Sequence, residues 1–123
     1  MQNRNAAAEA VCPLRHLADV FGGKWKLPIM CILAGDAPVR YSAIRRRLDG
    51  VTNVMLTQSL RELESYGLVE RRQFSEVPPR VEYSLTERGR SAMPFLTAAA
   101  QWASDDLERT NREKLCTQCA AQK

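Results

Sequence analysis

Three groups of side chains in this sequence could do chemistry. The first is its four cysteines, Cys12, Cys31, Cys116 and Cys119. Cys12 stands before Pro13, with Arg15 and His16 close by. If a helix starts there, its positive end and the nearby cations favour the reactive thiolate. Cys116 and Cys119 have the spacing of a redox or metal pair, but a zinc site takes four ligands and two thiols do not complete one. The second group is cationic and includes the run Arg45-Arg46-Arg47. The third is polar: Asn53, Thr57, Gln58 and Arg61, with Val54 among them, at spacings that share a helix face. Catalytic groupings are missing. There is one histidine, and no paired carboxylates, glycine-rich phosphate loop or nucleophile motif stand out. A thiol-disulfide redox protein could use Cys116-Thr-Gln-Cys119, but that motif lies in a polar tail rather than beside a strand–helix unit. We therefore expect no enzyme, no cofactor and no metal.

The polar group belongs to the best-marked element, a helix over 52–66. Thr52 suits the N-cap, where its hydroxyl accepts from a free backbone N–H. Gly67 suits the left-handed residue that closes a helix. Leu56, Leu60 and Leu63 line the inward face. The N-terminal half of the outward face carries short hydrogen-bonding side chains, and Glu62 and Glu64 come late. A helix that reads a DNA major groove is arranged this way, because its first residues reach the bases.

The other elements follow in order. Residues 1–10 carry no pattern and read as a flexible arm. Pro13 opens a first helix with the apolar stripe Leu14, Leu17, Ala18 and Phe21, ended by Gly22-Gly23. A second helix from Lys24 to about Leu33 is apolar nearly all round, so it belongs in the core, with Cys31 as a small buried residue. Val39-Arg40-Tyr41 reads as a very short strand. Ser42 then caps a third helix over 43–48, and Asp49-Gly50 turns the chain into the central helix, completing a helix-turn-helix. Residues 68–74 and 81–85 alternate with period two and pair as a hairpin whose tip holds Pro78-Pro79. Thr86 caps a final helix running past Trp102 to about Arg109, reset at Pro94, with the stripe Phe95, Leu96, Ala99 and Trp102. The tail 110–123 is polar and contains Cys116 and Cys119.

At 123 residues with a net charge of +4, the chain is one domain, 11–109, between an arm and a tail, and its charge suits a polyanionic partner. No stretch resembles a signal peptide or reaches membrane-spanning length, so we expect a soluble cytoplasmic protein with reduced thiols and no membrane partner.

The predicted class is mainly α with a small β-hairpin, in the order of a winged helix-turn-helix. The central helix enters the major groove, the third helix braces it, and the hairpin reaches sideways. Expected phosphate contacts are Lys24, Lys26, Arg40, Arg45, Arg46, Arg47, Arg72 and Arg80. Expected base contacts are Asn53, Thr57, Gln58 and Arg61, with Val54 against a thymine methyl. Glutamine pairs bidentately with adenine and arginine with guanine, each worth about 1–3 kcal/mol of discrimination. Ser42 and Thr52, at helix starts, complete the expected DNA-binding set.

These pieces resemble a known family. They are Cys12-Pro13, Gly22-Gly23-Lys24-Trp25, Arg40-Tyr41-Ser42 with Ile44, Leu60-Arg61-Glu62-Leu63 and Gly67-Leu68-Val69. Val77-Pro78-Pro79-Arg80-Val81-Glu82-Tyr83-Ser84-Leu85-Thr86 follows, then Gly89 and Trp102. Over roughly 11–103 the chain resembles HxlR-type, MarR-like winged-helix transcriptional regulators of bacteria. Many relatives carry a basic residue where this chain has Asn53-Val54, so the resemblance does not extend to the operator sequence. It implies a cytoplasmic homodimer on a near-palindromic operator in double-stranded DNA. Its dimer interface would use Leu14, Leu17 and Phe21 of the first helix with Phe95, Leu96, Ala99 and Trp102 of the last. It also implies Cys12 as a sensor thiol for an oxidant or other small-molecule inducer, because several members sense electrophiles at this position. Cys116 or Cys119 of the other subunit is the expected disulfide partner in such a switch. The rival of the same shape is a metal-responsive repressor using the tail cysteines.

Overall fold

The computed structural model describes residues 10–110. Their elements are α1 (Pro13–Phe21), α2 (Lys26–Ile32), β1 (Val39–Arg40), α3 (Tyr41–Arg47), α4 (Asn53–Ser65), β2 (Val69–Phe74), β3 (Arg80–Leu85), α5 (Glu87–Ser91) and α6 (Met93–Arg109). This is a winged helix-turn-helix: α3, a turn and α4, followed by the β2–β3 wing.

α4 has both of its expected ends. The Thr52 side chain accepts from the backbone N–H of Met55 at 3.1 Å. At the other end Gly67 takes φ +76°. Its N–H bonds to the Glu64 carbonyl at 2.9 Å, and the Leu68 N–H bonds to the Leu63 carbonyl at 3.0 Å. That pair of bonds satisfies carbonyls a helix end otherwise leaves open, and it requires the left-handed residue that glycine supplies without a Cβ clash. Leu56, Leu60 and Leu63 are fully buried against Ile29, Met30 and Leu33 from the α2 region and Ile44 of α3. Burying each such side chain contributes about 1.5–3 kcal/mol, which fixes how α4 is rotated. Cys31 is buried in α2.

Three expectations change. The sheet has three antiparallel strands in the order β1-β3-β2, so β1 extends the hairpin, with Val39 opposite Tyr83 and Arg40 opposite Glu82. The short strand expected here is present at Val39–Arg40, but two residues carry no signal for a partner, and β3 supplies the edge on which it pairs. α3 starts at Tyr41, with Arg40 at the N-cap and no side-chain capping bond, so Ser42 is an exposed first-turn residue rather than the cap. Tyr41 enters the helix because its ring packs on the core. The final helix is two helices, and the break falls at Ala92. Pro94 is in the first turn of α6, where its missing N–H leaves no bond unmade. The Thr86 side chain accepts from the Gly89 N–H at 3.0 Å and donates to the Gly67 carbonyl at 2.6 Å, tying α5 to the end of α4.

Candidate nucleic-acid interface

The outward face of α4 is polar, and the rest of the fold holds its side chains in place. Val54 is 73% exposed, and Asn53, Gln58 and Arg61 are also exposed. Thr57 is half-buried because Tyr41 covers it. The Tyr41 hydroxyl lies 3.1 Å from Asn53 Oδ1, 3.3 Å from the Asn53 carbonyl oxygen and 3.3 Å from Thr57 Oγ1. Gln58 Nε2 donates to Glu62 Oε2 at 3.2 Å. The amide oxygen and one N–H of Gln58 are left for a further partner.

Glu62 also meets Lys26 Nζ, 2.6 Å from its Oε1. The hydrogen bond from Lys26, then that from Gln58, holds the Glu62 carboxyl below its ordinary range. Lys26 is 6% exposed, and its ammonium lies 5.6 Å from the centre of the Tyr66 ring. The expectation that Lys26 contacts phosphate is therefore overturned, because its charge is turned inward to join α2 to α4. Lys24, two residues earlier, is exposed over Trp25, 5.0 Å from the ring centre.

Arg45, Arg46 and Arg47 are all exposed at the C-terminal end of α3, where cations suit the helix dipole. Arg40 is exposed at the α3 N-cap, and Arg72 is exposed on β2. Arg80 is differently placed. Its Nη1 is 3.1 Å from Glu76 Oε2, and its Nε is 3.1 Å from Glu82 Oε2, out of line for a hydrogen bond. The guanidinium lies 4.1 Å from the centre of the Phe74 ring. Arg80 thus braces the wing, whose tip Val77-Pro78-Pro79 is exposed.

Between α4 and the wing lies a cleft of about 780 Å³. Arg40, Arg61, Arg71 and Arg80 line it, against Glu64 and Glu76. The excess of guanidinium suits an anionic chain. Arg71 was not among the expected contacts. It is exposed on β2, opposite Tyr83, and donates to Gln73 Oε1 at 3.1 Å. Burial raises the Tyr83 phenol above its ordinary value, which keeps it protonated. Tyr41 was also missed, and Met55 is exposed on the same helix. The exposure of Met55 follows from its place between Val54 and Leu56 on the helix.

Apolar side chains are also exposed just before α1, on α1 and on α6. Leu14 is 73% and Trp102 66% exposed, and Phe95 and Val11 are also exposed. Phe21 and Leu96 lie instead in the core of this chain, Leu17 is half-buried, and Ala99 is partly covered. The Phe21 and Phe95 rings, 6.5 Å apart between centroids, join core to surface. Cys12 is exposed at the start of α1. Cys116 and Cys119 lie outside the described residues. Among the described residues no three metal-ligating side chains cluster, and no helix is long and apolar enough to cross a membrane.

Comparison with known proteins agrees with this geometry. An HTH-type transcriptional regulator of Methanothermobacter thermautotrophicus, itself uncharacterized, is 48% identical over 94 residues, 76% of this chain and 71% of that one. A crystal structure of a MarR-family regulator from Porphyromonas gingivalis W83 superposes with a TM-score of 0.74 at 35% identity, over 81% of this chain and 97% of that one. The redox regulator HypR in its reduced form superposes with a TM-score of 0.75 at 38% identity, over 81% and 98%. The model of the HxlR-like helix-turn-helix family matches residues 20–111. On this match and these likenesses, the chain belongs to the HxlR-like helix-turn-helix family of transcriptional regulators.

Proposed function

We propose that this chain is a cytoplasmic, sequence-specific DNA-binding regulator that acts as a homodimer. The observation that carries this reading is the outward face of α4. Asn53, Val54, Gln58 and Arg61 are exposed there, beside a cleft that holds more guanidinium than carboxylate. α4 enters the major groove, Lys24, Arg40, Arg45, Arg46 and Arg47 meet phosphates, and the wing follows the backbone. The exposed Leu14, Phe95 and Trp102 meet their copies across a two-fold axis. The two α4 helices then face half-sites of a near-palindromic operator. The test is fluorescence anisotropy of the reduced protein on duplex from upstream of its own gene, against scrambled duplex, at two salt concentrations. Selective binding that weakens with salt is expected. Equal or absent binding on both duplexes refutes it.

A thiol switch within this reading is favoured by the exposed Cys12 at the α1 N-terminus and by the likeness to HypR, a redox regulator. Oxidation of Cys12, by linkage to Cys116 or Cys119 of the other subunit, shifts the helices of the dimer and changes half-site spacing. Diamide should then release DNA from the native protein. Retained diamide sensitivity in Cys12→Ser overturns the switch and leaves the DNA reading intact.

A further inference from the structure

Tyr41 stands at the first position of α3, outside the reading helix, yet its hydroxyl emerges beside the first turn of α4. A phenol has one proton to give and lone pairs to receive. Among its three neighbours, Asn53 Oδ1 at 3.1 Å and the Asn53 carbonyl oxygen at 3.3 Å can only accept. Thr57 Oγ1, at 3.3 Å, can do either. The arrangement that fits these distances sends the single phenol proton to the nearer Asn53 oxygen, Oδ1, and receives the Thr57 proton.

We propose that Tyr41 is a positioning residue that sets the hydrogen-bond polarity of the reading face. This rests on the DNA reading above. With its amide oxygen held on the phenol, Asn53 turns Nδ2 and two N–H donors outward. Thr57, half-buried beside Tyr41, gives its proton to the phenol and so fixes which way the phenol donates. Asn53 then meets an acceptor on DNA, which is either the O6/N7 edge of guanine or a phosphate oxygen. Adenine is disfavoured, because bidentate pairing with adenine needs the amide oxygen turned to the base beside the N–H, and here the oxygen is turned to the phenol.

The test sequences the duplexes retained from a randomised library by the full-length protein and by Tyr41→Phe, which keeps the ring and removes the hydroxyl. Affinities are then titrated in the Asn53→Ala background as well. If the partner is guanine, the native protein selects it at one base pair per half-site. Tyr41→Phe then loses about tenfold of that preference and keeps the rest of the motif. If the partner is phosphate, the motif stays and all duplexes weaken together. In both cases Tyr41→Phe has no further effect once Asn53 is alanine, an outcome a merely structural tyrosine would not give. Asn53→Asp keeps an acceptor for Tyr41 but has no donor, so it should weaken binding by about tenfold or more. Four results overturn the proposal: an unchanged motif with unchanged affinity in Tyr41→Phe, additive effects with Asn53→Ala, unchanged affinity in Asn53→Asp, or adenine selected opposite Asn53. A native protein that selects no motif refutes the DNA reading itself, and this inference falls with it.

Discussion

Gly89→Ala should destabilise this protein, although glycine in a helix interior is normally the weaker choice. Gly89 is in α5, is buried, and has no left-handed backbone angle, so an alanine there meets no conformational penalty. Helix propensity alone predicts a gain of about 1 kcal/mol. Space decides the other way. A Cβ on residue 89 would lie 2.2 Å from the Leu68 carbonyl oxygen, 3.1 Å from its carbon and 3.3 Å from Leu85 Cδ2. The Leu68 oxygen is backbone and already accepts from the Thr86 N–H at 3.1 Å. It cannot withdraw without breaking the joint between α5 and the root of the wing. Overpacking costs about 1–3 kcal/mol, and a backbone clash belongs at the top of that range. Subtracting the propensity gain leaves a net loss of about 2 kcal/mol. For a domain of this size that lowers the melting temperature by about 8–16 °C. Circular dichroism melts at one fixed protomer concentration measure it, since association shifts apparent stability. Gly35→Ala is the control, because nothing lies within 4 Å of its added Cβ. It should stay within about 0.5 kcal/mol of the native protein. An unchanged or raised melting temperature for Gly89→Ala would refute the steric argument.

Two further outcomes separate cations that look alike in sequence. Arg46→Ala, if Arg46 meets one phosphate per protomer, should reduce the slope of log affinity against log salt by about 0.9 per protomer. Lys26→Met should leave that slope unchanged, and an equal loss would return Lys26 to the phosphate contacts. The Glu62 carboxyl is held low by Lys26 and Gln58, so the folded state binds fewer protons than the unfolded state below the ordinary carboxylate range. Its contribution is fully present above that range and is lost as pH falls through the folded value. The stability difference between the native protein and Glu62→Gln should therefore shrink from about pH 6 to about pH 3. A difference that stays constant or grows on acidification contradicts the pairing.

Local features carried most of the fold from sequence to structure. Thr52, Gly67 and three leucines at helical spacing bounded and oriented α4, because capping and periodicity act within one turn of the chain. The hairpin was legible for the same reason, since period-two alternation in 68–74 and 81–85 reflects backbone pleating. The candidate interface was legible wherever exposure follows from that periodicity, as at Val54, Gln58 and Arg61.

What the sequence could not determine depends on groups that meet only after the chain folds. Lys24 and Lys26 are two residues apart and alike in type, yet one is exposed and the other is buried against Glu62, because the packing of α2 on α4 brings that carboxylate within 2.6 Å. The short strand at Val39–Arg40 was legible, but its place beside β3 was not, because that pairing joins residues more than forty apart. Arg80 became a brace because the wing brings Glu76 and Glu82 to it. Tyr41 became a partner of Asn53 and Thr57 because the angle between α3 and α4 places one hydroxyl beside both. The chain's own order dictated the helices, the hairpin and the outward face. Tertiary structure assigned each charge and hydroxyl its partner, because hydrogen bonds and ion pairs depend on distances of a few ångströms that no local pattern encodes.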